Sequence, residues 1–257
     1  MTETLWSYYV WGDILEQLAA ERIRLYFCYS AVLLLAFLAG SLIFEGLGST
    51  TEAETASAEN IPVVVIDAGH GGEDGGAVAN GIVEKDVNLE IARQLRDMLE
   101  LSGFRVRMIR EDDRSVCDEG ADTIREKKVS DMENRLKTAG SDSRNILISI
   151  HQNKFRDSKY SGAQIFYASK DPGSKELAGC VRSAVTGLLQ PENKREIKPE
   201  DNAYLLKNAV VPSIIVECGF ISNPEEAALL RDKEYQKKLA FSVLCGFLDY
   251  QKNKRGR

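Results

Sequence analysis

The sequence predicts an α/β fold: a single domain with a mostly parallel central sheet flanked by helices, preceded by one N-terminal transmembrane helix. Three observations predict it. From Ile61 onward, short apolar runs alternate with segments of helical periodicity, the pattern of strands joined by crossover helices. Leu25 to Phe44 is uninterrupted by charge. The 2 histidines of the chain, His70 and His151, each stand at the end of an apolar run, where α/β enzymes gather their chemistry.

The elements follow in order. Ile61–Asp67 reads as a buried strand. Asp86–Leu101 reads as a helix, with Val87, Ile91, Leu95 and Leu99 four residues apart on one face and Gly103 just past its end. Phe104–Arg110 is the next strand, Thr123–Ala139 a charged helix stopping at Gly140, and Asn145–Ile150 and Gly162–Ala168 two further strands. Pro172–Leu189 is helical, Ala203–Leu206 a short strand, Ser213–Glu217 a strand, and Pro224–Leu230 and Lys233–Gln251 helices. No internal repeat is evident.

The 257 residues suit one mid-sized domain with appendages. A net charge of −6 argues against a nucleic-acid surface, which needs a basic patch or stripe. The 5 cysteines form no CxxC pair and no finger-like spacing, so they read as small buried hydrophobes with no required disulfide. Leu25 to Phe44 matches the roughly 20 apolar residues that cross a bilayer. Arg22 and Arg24 precede it and the next basic residue is Lys85, so the positive-inside rule keeps residues 1–24 cytoplasmic and exports the rest. A cleavable signal peptide ending at Ala56-Ser57-Ala58 competes, but its apolar region usually runs about 7–15 residues near the start. A buried core helix competes less well, because no polar face is present. The favoured division is a cytoplasmic segment (1–24), an uncleaved anchor (25–44), a flexible stalk (45–60), a catalytic domain (61–251) and a basic tail (252–257).

Four side chains lie at strand ends or in the loops that follow: His70, Glu84, His151 and Glu217. A catalytic zinc takes three protein ligands and keeps one position open. Two histidines cannot supply three ligands, so a carboxylate completes a His2Glu set and a second carboxylate serves as general base. Each residue also has an ordinary explanation. The glycines from Gly69 to Gly76 suit a mobile turn or a phosphate loop, although no P-loop lysine follows and the dinucleotide spacing is not kept. Glu84 suits a helix N-terminus, and Glu217 suits pairing with a base. All four ordinary roles would have to coincide in one fold.

At these residues the chain resembles the zinc-dependent N-acetylmuramoyl-L-alanine amidases of the third amidase family. The resemblance spans Ile61 to Tyr250. It rests on Asp67-Ala68-Gly69-His70-Gly71-Gly72-Glu73-Asp74-Gly75-Gly76-Ala77, Glu84-Lys85-Asp86-Val87-Asn88-Leu89, Ser149-Ile150-His151-Gln152-Asn153 and Val216-Glu217-Cys218-Gly219-Phe220-Ile221-Ser222-Asn223. It implies that His70, Glu84 and His151 hold one Zn2+ and that Glu217 is the catalytic carboxylate. The implied reaction is hydrolysis of the amide between N-acetylmuramic acid and L-alanine in peptidoglycan. Asn153 is expected to orient substrate or a ligand, Asp67 and Asp74 to support the histidines from behind, and Gln152, between the histidine and the asparagine, to alter substrate contact without removing zinc.

Among these amidases the chain is most similar to the germination-specific spore-cortex group. The similarity lies in the single anchor, Gly120–Lys128, Asn134-Arg135-Leu136-Lys137 and Tyr160-Ser161-Gly162-Ala163-Gln164. That implies a role in forming muramic-δ-lactam together with a deacetylase, a lipoprotein activator as partner, and a catalytic domain facing the cortex. A vegetative wall amidase is the second reading. An inert wall-binding protein would require loss of a ligand or of Glu217, and a metallocarboxypeptidase would require an anchor for a terminal carboxylate that cannot be placed.

Overall fold

In a computed structural model of the chain, the structure describes residues 62–256. The anchor and stalk expected at 25–60 lie outside the described residues. Among the described residues, no helix is long and apolar enough to cross a membrane.

The α/β architecture is as expected. The main sheet has six strands: β1 (Val63–Ala68), β4 (Arg105–Met108), β5 (Ile146–Asn153), β6 (Gln164–Tyr167), β7 (Lys198–Pro199) and β8 (Ser213–Phe220). They run in the order β4-β1-β5-β8-β6-β7, and β6 pairs antiparallel with β8 while every other pair is parallel. A separate antiparallel pair, β2 (Val78–Ala79) and β3 (Ile82–Val83), stands apart from it. The helices are α1 (Glu84–Leu101), α2 (Ile124–Ala139), α3 (Pro172–Leu188), α4 (Tyr204–Asn208), α5 (Pro224–Arg231) and α6 (Lys233–Arg255). α1, α3 and α6 pack together on one face, and α2 with α4 on the other.

The strands are apolar almost throughout because both faces are covered. Val64 and Ile66 of β1 join the larger core with Leu95, Val181 and Val243, while Val65 between them joins a smaller one with Leu147 and Leu205. α2 carries a weaker apolar stripe and is fixed at its start by a capping box. Thr123 accepts from the Glu126 N–H at 3.2 Å, and the Glu126 side chain accepts from the Thr123 N–H at 2.9 Å.

Three expectations are corrected. The segment expected as a strand at Ala203–Leu206 is the helix α4, with Ala203 as its extended N-cap and both Leu205 and Leu206 buried. Leu and Lys favour a helix, and a window of four residues is too short to separate the two periods. The first helix opens at Glu84 rather than Asp86. The basic residues expected as a tail from Lys252 mostly form the exposed last turn of α6, where cations suit the negative end of the helix dipole.

Candidate active site

β1 connects through α1 to β4 on one side, and β4 connects through α2 to β5 on the other. The crevice at the C-terminal ends of β1 and β5 is thus a topological switch point, where open α/β sheets bind ligands. His70 follows β1. His151, expected just past its strand, lies inside β5, whose pairing continues to Asn153.

His151 is in register with Glu217 of β8, so the two side chains stand side by side on the face that α2 and α4 cover. The register slips between His151 and Asn153, so the ladder is irregular beside the site before pairing resumes at Asn153 and Phe220. On the other flank, the Gly69 N–H donates to the Ile150 carbonyl at 3.0 Å. A Cβ at Gly69 would stand 2.2 Å from His151 Nε2, so the imidazole fits only against a glycine.

His70 itself adopts φ 64°, a left-handed conformation that a non-glycine residue holds only when its surroundings impose it. Two buried arginines impose it. Arg135 donates through Nη2 to the His70 carbonyl at 2.8 Å and through Nη1 to the Ala68 carbonyl at 3.1 Å. Arg110 donates through Nε to the Ala68 carbonyl at 2.8 Å and through Nη2 to the Gly69 carbonyl at 3.1 Å. Arg135 is neutralised by Asp67 and by Asp131, the latter at 2.5 Å. Neither arginine's hold on these carbonyls is legible in the sequence. The Asp131/Arg135 spacing of four on a helix is a signal for a pair, but nothing local reveals a carbonyl partner far away in the chain.

Glu84 reaches the histidines by way of the β2–β3 pair. Asn80 and Gly81 turn the chain with φ of 47° and 75°, the left-handed pair typical of a two-residue hairpin. Glu84 Oε2 then accepts from the Ala77 N–H at 2.8 Å, and Oε1 accepts from the Gln152 N–H at 3.1 Å. Oε1 lies 3.0 Å from His151 Nδ1 and 3.3 Å from His70 Nε2. The three donor groups His70, Glu84 and His151 all lie within 4.8 Å of one another. Gly76 closes over them: with φ 67°, its Cβ would meet His70 Cδ2 at 2.6 Å and Glu84 Oε2 at 2.7 Å.

The supporting residues divide differently from expectation. Asp74 accepts from His70 Nδ1 at 2.9 Å, which leaves Nε2 as the ring nitrogen that faces Glu84. Asp67 makes no hydrogen bond to either histidine. It pairs with Arg135 and accepts from Ser149 Oγ at 2.6 Å, because Ser149 is its register partner on β5. The Asn153 carbonyl accepts from the Ile221 N–H at 2.9 Å, tying β5 to the segment after β8. Gln152 points away from the site, as alternation demands. It is buried, and its Nε2 donates to Asn88 Oδ1 at 3.1 Å while Asn88 Nδ2 donates to the Gly69 carbonyl. The expected contact of Gln152 with substrate is therefore replaced by a role under α1.

The electrostatics separate the two glutamates. Burial pushes the Glu84 carboxyl up, but hydrogen bonds and charge from His151 and His70 outweigh it and hold Glu84 well below the usual carboxylate range. Burial pulls His70 down, yet Glu84 and Asp74 together raise it to about 9. Glu217 has no such compensation. Burial raises it to about 7, with the His151 charge opposing and the Glu84 charge adding, and its Oε2 is buried without a hydrogen-bond partner. His70 and His151 form part of the wall of a cavity of about 750 Å3 that extends between α2 and α4.

Fold and site together define a hydrolase of α/β architecture with a donor set able to hold a metal. Residues 64–248 match the family model described as N-acetylmuramoyl-L-alanine amidase, and the chain belongs to that family. It is 38% identical over 188 residues to the germination-specific N-acetylmuramoyl-L-alanine amidase of Bacillus subtilis, covering 73% of this chain and 79% of that protein. Its fold is similar to that of the CwlD amidase from Clostridioides difficile, solved in complex with the GerS lipoprotein. The identity is 41% and the TM-score 0.72, over 74% of this chain and 98% of that one. An N-acetylmuramoyl-L-alanine amidase from Clostridium difficile 630 gives 30% identity and a TM-score of 0.66, over 76% and 99% of the two chains. This chain is an N-acetylmuramoyl-L-alanine amidase, a hydrolase acting on peptidoglycan.

Proposed function

We propose that this amidase uses one zinc ion held by His70, Glu84 and His151, with Glu217 as its catalytic carboxylate, and that its peptidoglycan substrate is the spore cortex. The observation that carries the catalytic part is the convergence of three donors beside an isolated, high-pKa glutamate. Ligands about 2.0–2.1 Å from a tetrahedral zinc stand about 3.3 Å apart, and Glu84 Oε1 lies 3.0 Å and 3.3 Å from the two imidazole nitrogens. Two nitrogens and one oxygen are also a donor set that zinc favours.

Bound zinc would supply Lewis acidity toward the scissile carbonyl and toward the attacking water. The protein's own part follows from its residues. Asp74 fixes the His70 tautomer so that Nε2 is the donor. Gly69 and Gly76 let backbone approach the imidazoles closely, excluding water from their flanks. Glu217, poised near pH 7, removes a proton from the attacking water and returns it to the departing L-alanine nitrogen.

The cortex assignment is supported by the Bacillus subtilis relative, whose name carries germination specificity. A lipoprotein partner is supported by the complex in which the Clostridioides difficile relative was solved. The charge-free run at 25–44 supports a membrane anchor with residues 1–24 cytoplasmic and the catalytic domain outside. A muramic-acid deacetylase then acts after this enzyme, since it needs muramic acid freed of its peptide. The test is digestion of cortex and of vegetative peptidoglycan by the purified protein, with and without a zinc chelator. Muramic acid free of peptide and new L-alanine amino termini are expected, faster from cortex and abolished by chelation. Release that survives full removal of the metal contradicts the zinc assignment, and equal rates on the two walls contradict the cortex assignment.

A further inference from the structure

The cavity between α2 and α4 holds an unusual balance of charge. Four acidic side chains stand in its wall, and each is engaged: Asp67 and Asp131 by Arg135, Glu73 by Lys127 at 3.0 Å, and Asp74 by His70 at 2.9 Å. Among the described residues, the one charged side chain of the wall with neither an ion pair nor a hydrogen bond is Lys128, whose field still reaches Asp74. Beside it the wall turns apolar, with Ile124, Met132, Tyr204, Leu205 and Ile215. The capping box at Thr123 and the Lys127–Glu73 pair hold this stretch of α2 in place. An apolar slot with a single free cation suits a peptide bearing a carboxylate better than a hydroxyl-rich, neutral sugar.

We propose that this slot receives the stem peptide, and that Lys128 binds a free carboxylate of that peptide as a specificity-determining contact. The inference deepens the amidase reading and rests on it. The amide to be cut lies at His70 and His151, which form part of the same wall. The peptide therefore leaves the reacting carbonyl along α2, while the glycan stays outside the slot. A cation with neither an ion pair nor a hydrogen bond inside the protein is available to a ligand carboxylate.

The test compares peptidoglycan in its native form with the same material after its carboxylates are converted to primary amides by carbodiimide and ammonia. The proteins are the wild type, Lys128→Met, Lys128→Arg and Lys128→Glu, with Lys175→Met on α3 as a control from the opposite face of the sheet. Wild type is expected to lose on the order of threefold to fivefold in kcat/KM on amidated material, the range of one partly exposed ion pair. Lys128→Met should fall by the same factor on native material, mainly through the apparent KM, and no longer distinguish the two. Lys128→Arg should keep the preference, Lys128→Glu should reverse it, and Lys175→Met should match wild type. General electrostatics cannot mimic this result, because amidation relieves repulsion from a chain of net charge −6 and would speed the reaction. Equal wild-type rates on both materials, or a preference retained by Lys128→Met, overturns the proposal and leaves the amidase reading intact. No cleavage of either material by zinc-loaded wild type overturns both.

Discussion

The two faces of the central sheet are made from alternate residues of the same strands, yet they are built on opposite principles. Toward α1, α3 and α6, the side chains of Ile66, Ile148, Ile150 and Val216 enter one continuous apolar core. Toward α2 and α4, the intervening positions hold Asp67, Ser149, His151 and Glu217, with Arg135 buried above them. The first face is held by burial, which is non-directional and tolerates interchange of similar volumes. Apart from Glu217, the second is held by directional bonds, because an unpaired buried charge costs far more than a paired one. The apolar face fixes the strands, and the polar face uses those fixed strands to bring the donor atoms within 4.8 Å of one another.

The largest effect should come from removing the centre of the polar face. Arg135→Met leaves the Asp67 and Asp131 carboxylates without their counter-charge and removes the donor to the His70 carbonyl. A loss of about 3–5 kcal/mol in denaturant unfolding is expected. Leu→Met changes on the apolar face should cost under about 1.5 kcal/mol. Next is Gly69→Ala, whose Cβ must displace the His151 ring. A misplacement of that size is expected to lower kcat/KM about 100-fold while the fold survives, as circular dichroism would show.

Asp74→Asn sharpens the comparison further, since it removes the charge behind His70 while Oδ1 can still accept from the Gly76 N–H. Zinc affinity measured by competition with a chelator should fall about 10- to 100-fold, with unfolding in the metal-free state little changed. The smallest effect is on acid stability. Burial pushes the Asp67 carboxyl up, but Arg135, His151 and Ser149 hold it below its ordinary value of 3.8. The stability that Asp67 contributes is therefore fully present above about pH 4 and is lost as pH falls through the lower folded value. Asp67→Asn should be less stable than wild type at neutral pH and should show a shallower acid limb, the two curves converging at low pH.

Much of this was legible in the chain, for reasons that differ by element. Strands buried on both faces leave apolar runs that no other structure explains, so β1, β5 and β8 stand out, and a polar residue ending or interrupting such a run marks the site. The exchange of roles between Asp67 and Asp74 was not legible, because it depends on which residue of β5 lies opposite Asp67, and register is a property of the assembled sheet. The β2–β3 hairpin escaped because two-residue strands carry no period, although Asn80-Gly81 between apolar pairs is a turn signal in its own right. Gln152 follows His151 in sequence yet faces the other way, onto Asn88, because alternation along a strand sends neighbours apart. Arg110 and Arg135 act on carbonyls 41 to 67 residues away, and no local pattern encodes that.

The most direct test of the central claim separates holding the metal from performing the reaction. Zinc content and peptidoglycan cleavage would be measured together for wild type, His151→Ala and Glu217→Gln. Glu217→Gln should retain one zinc per chain and lose activity by about 10²–10⁴-fold, whereas His151→Ala should lose both. Near-normal release of stem peptide by zinc-loaded Glu217→Gln, or full zinc occupancy in His151→Ala, would contradict that division of roles.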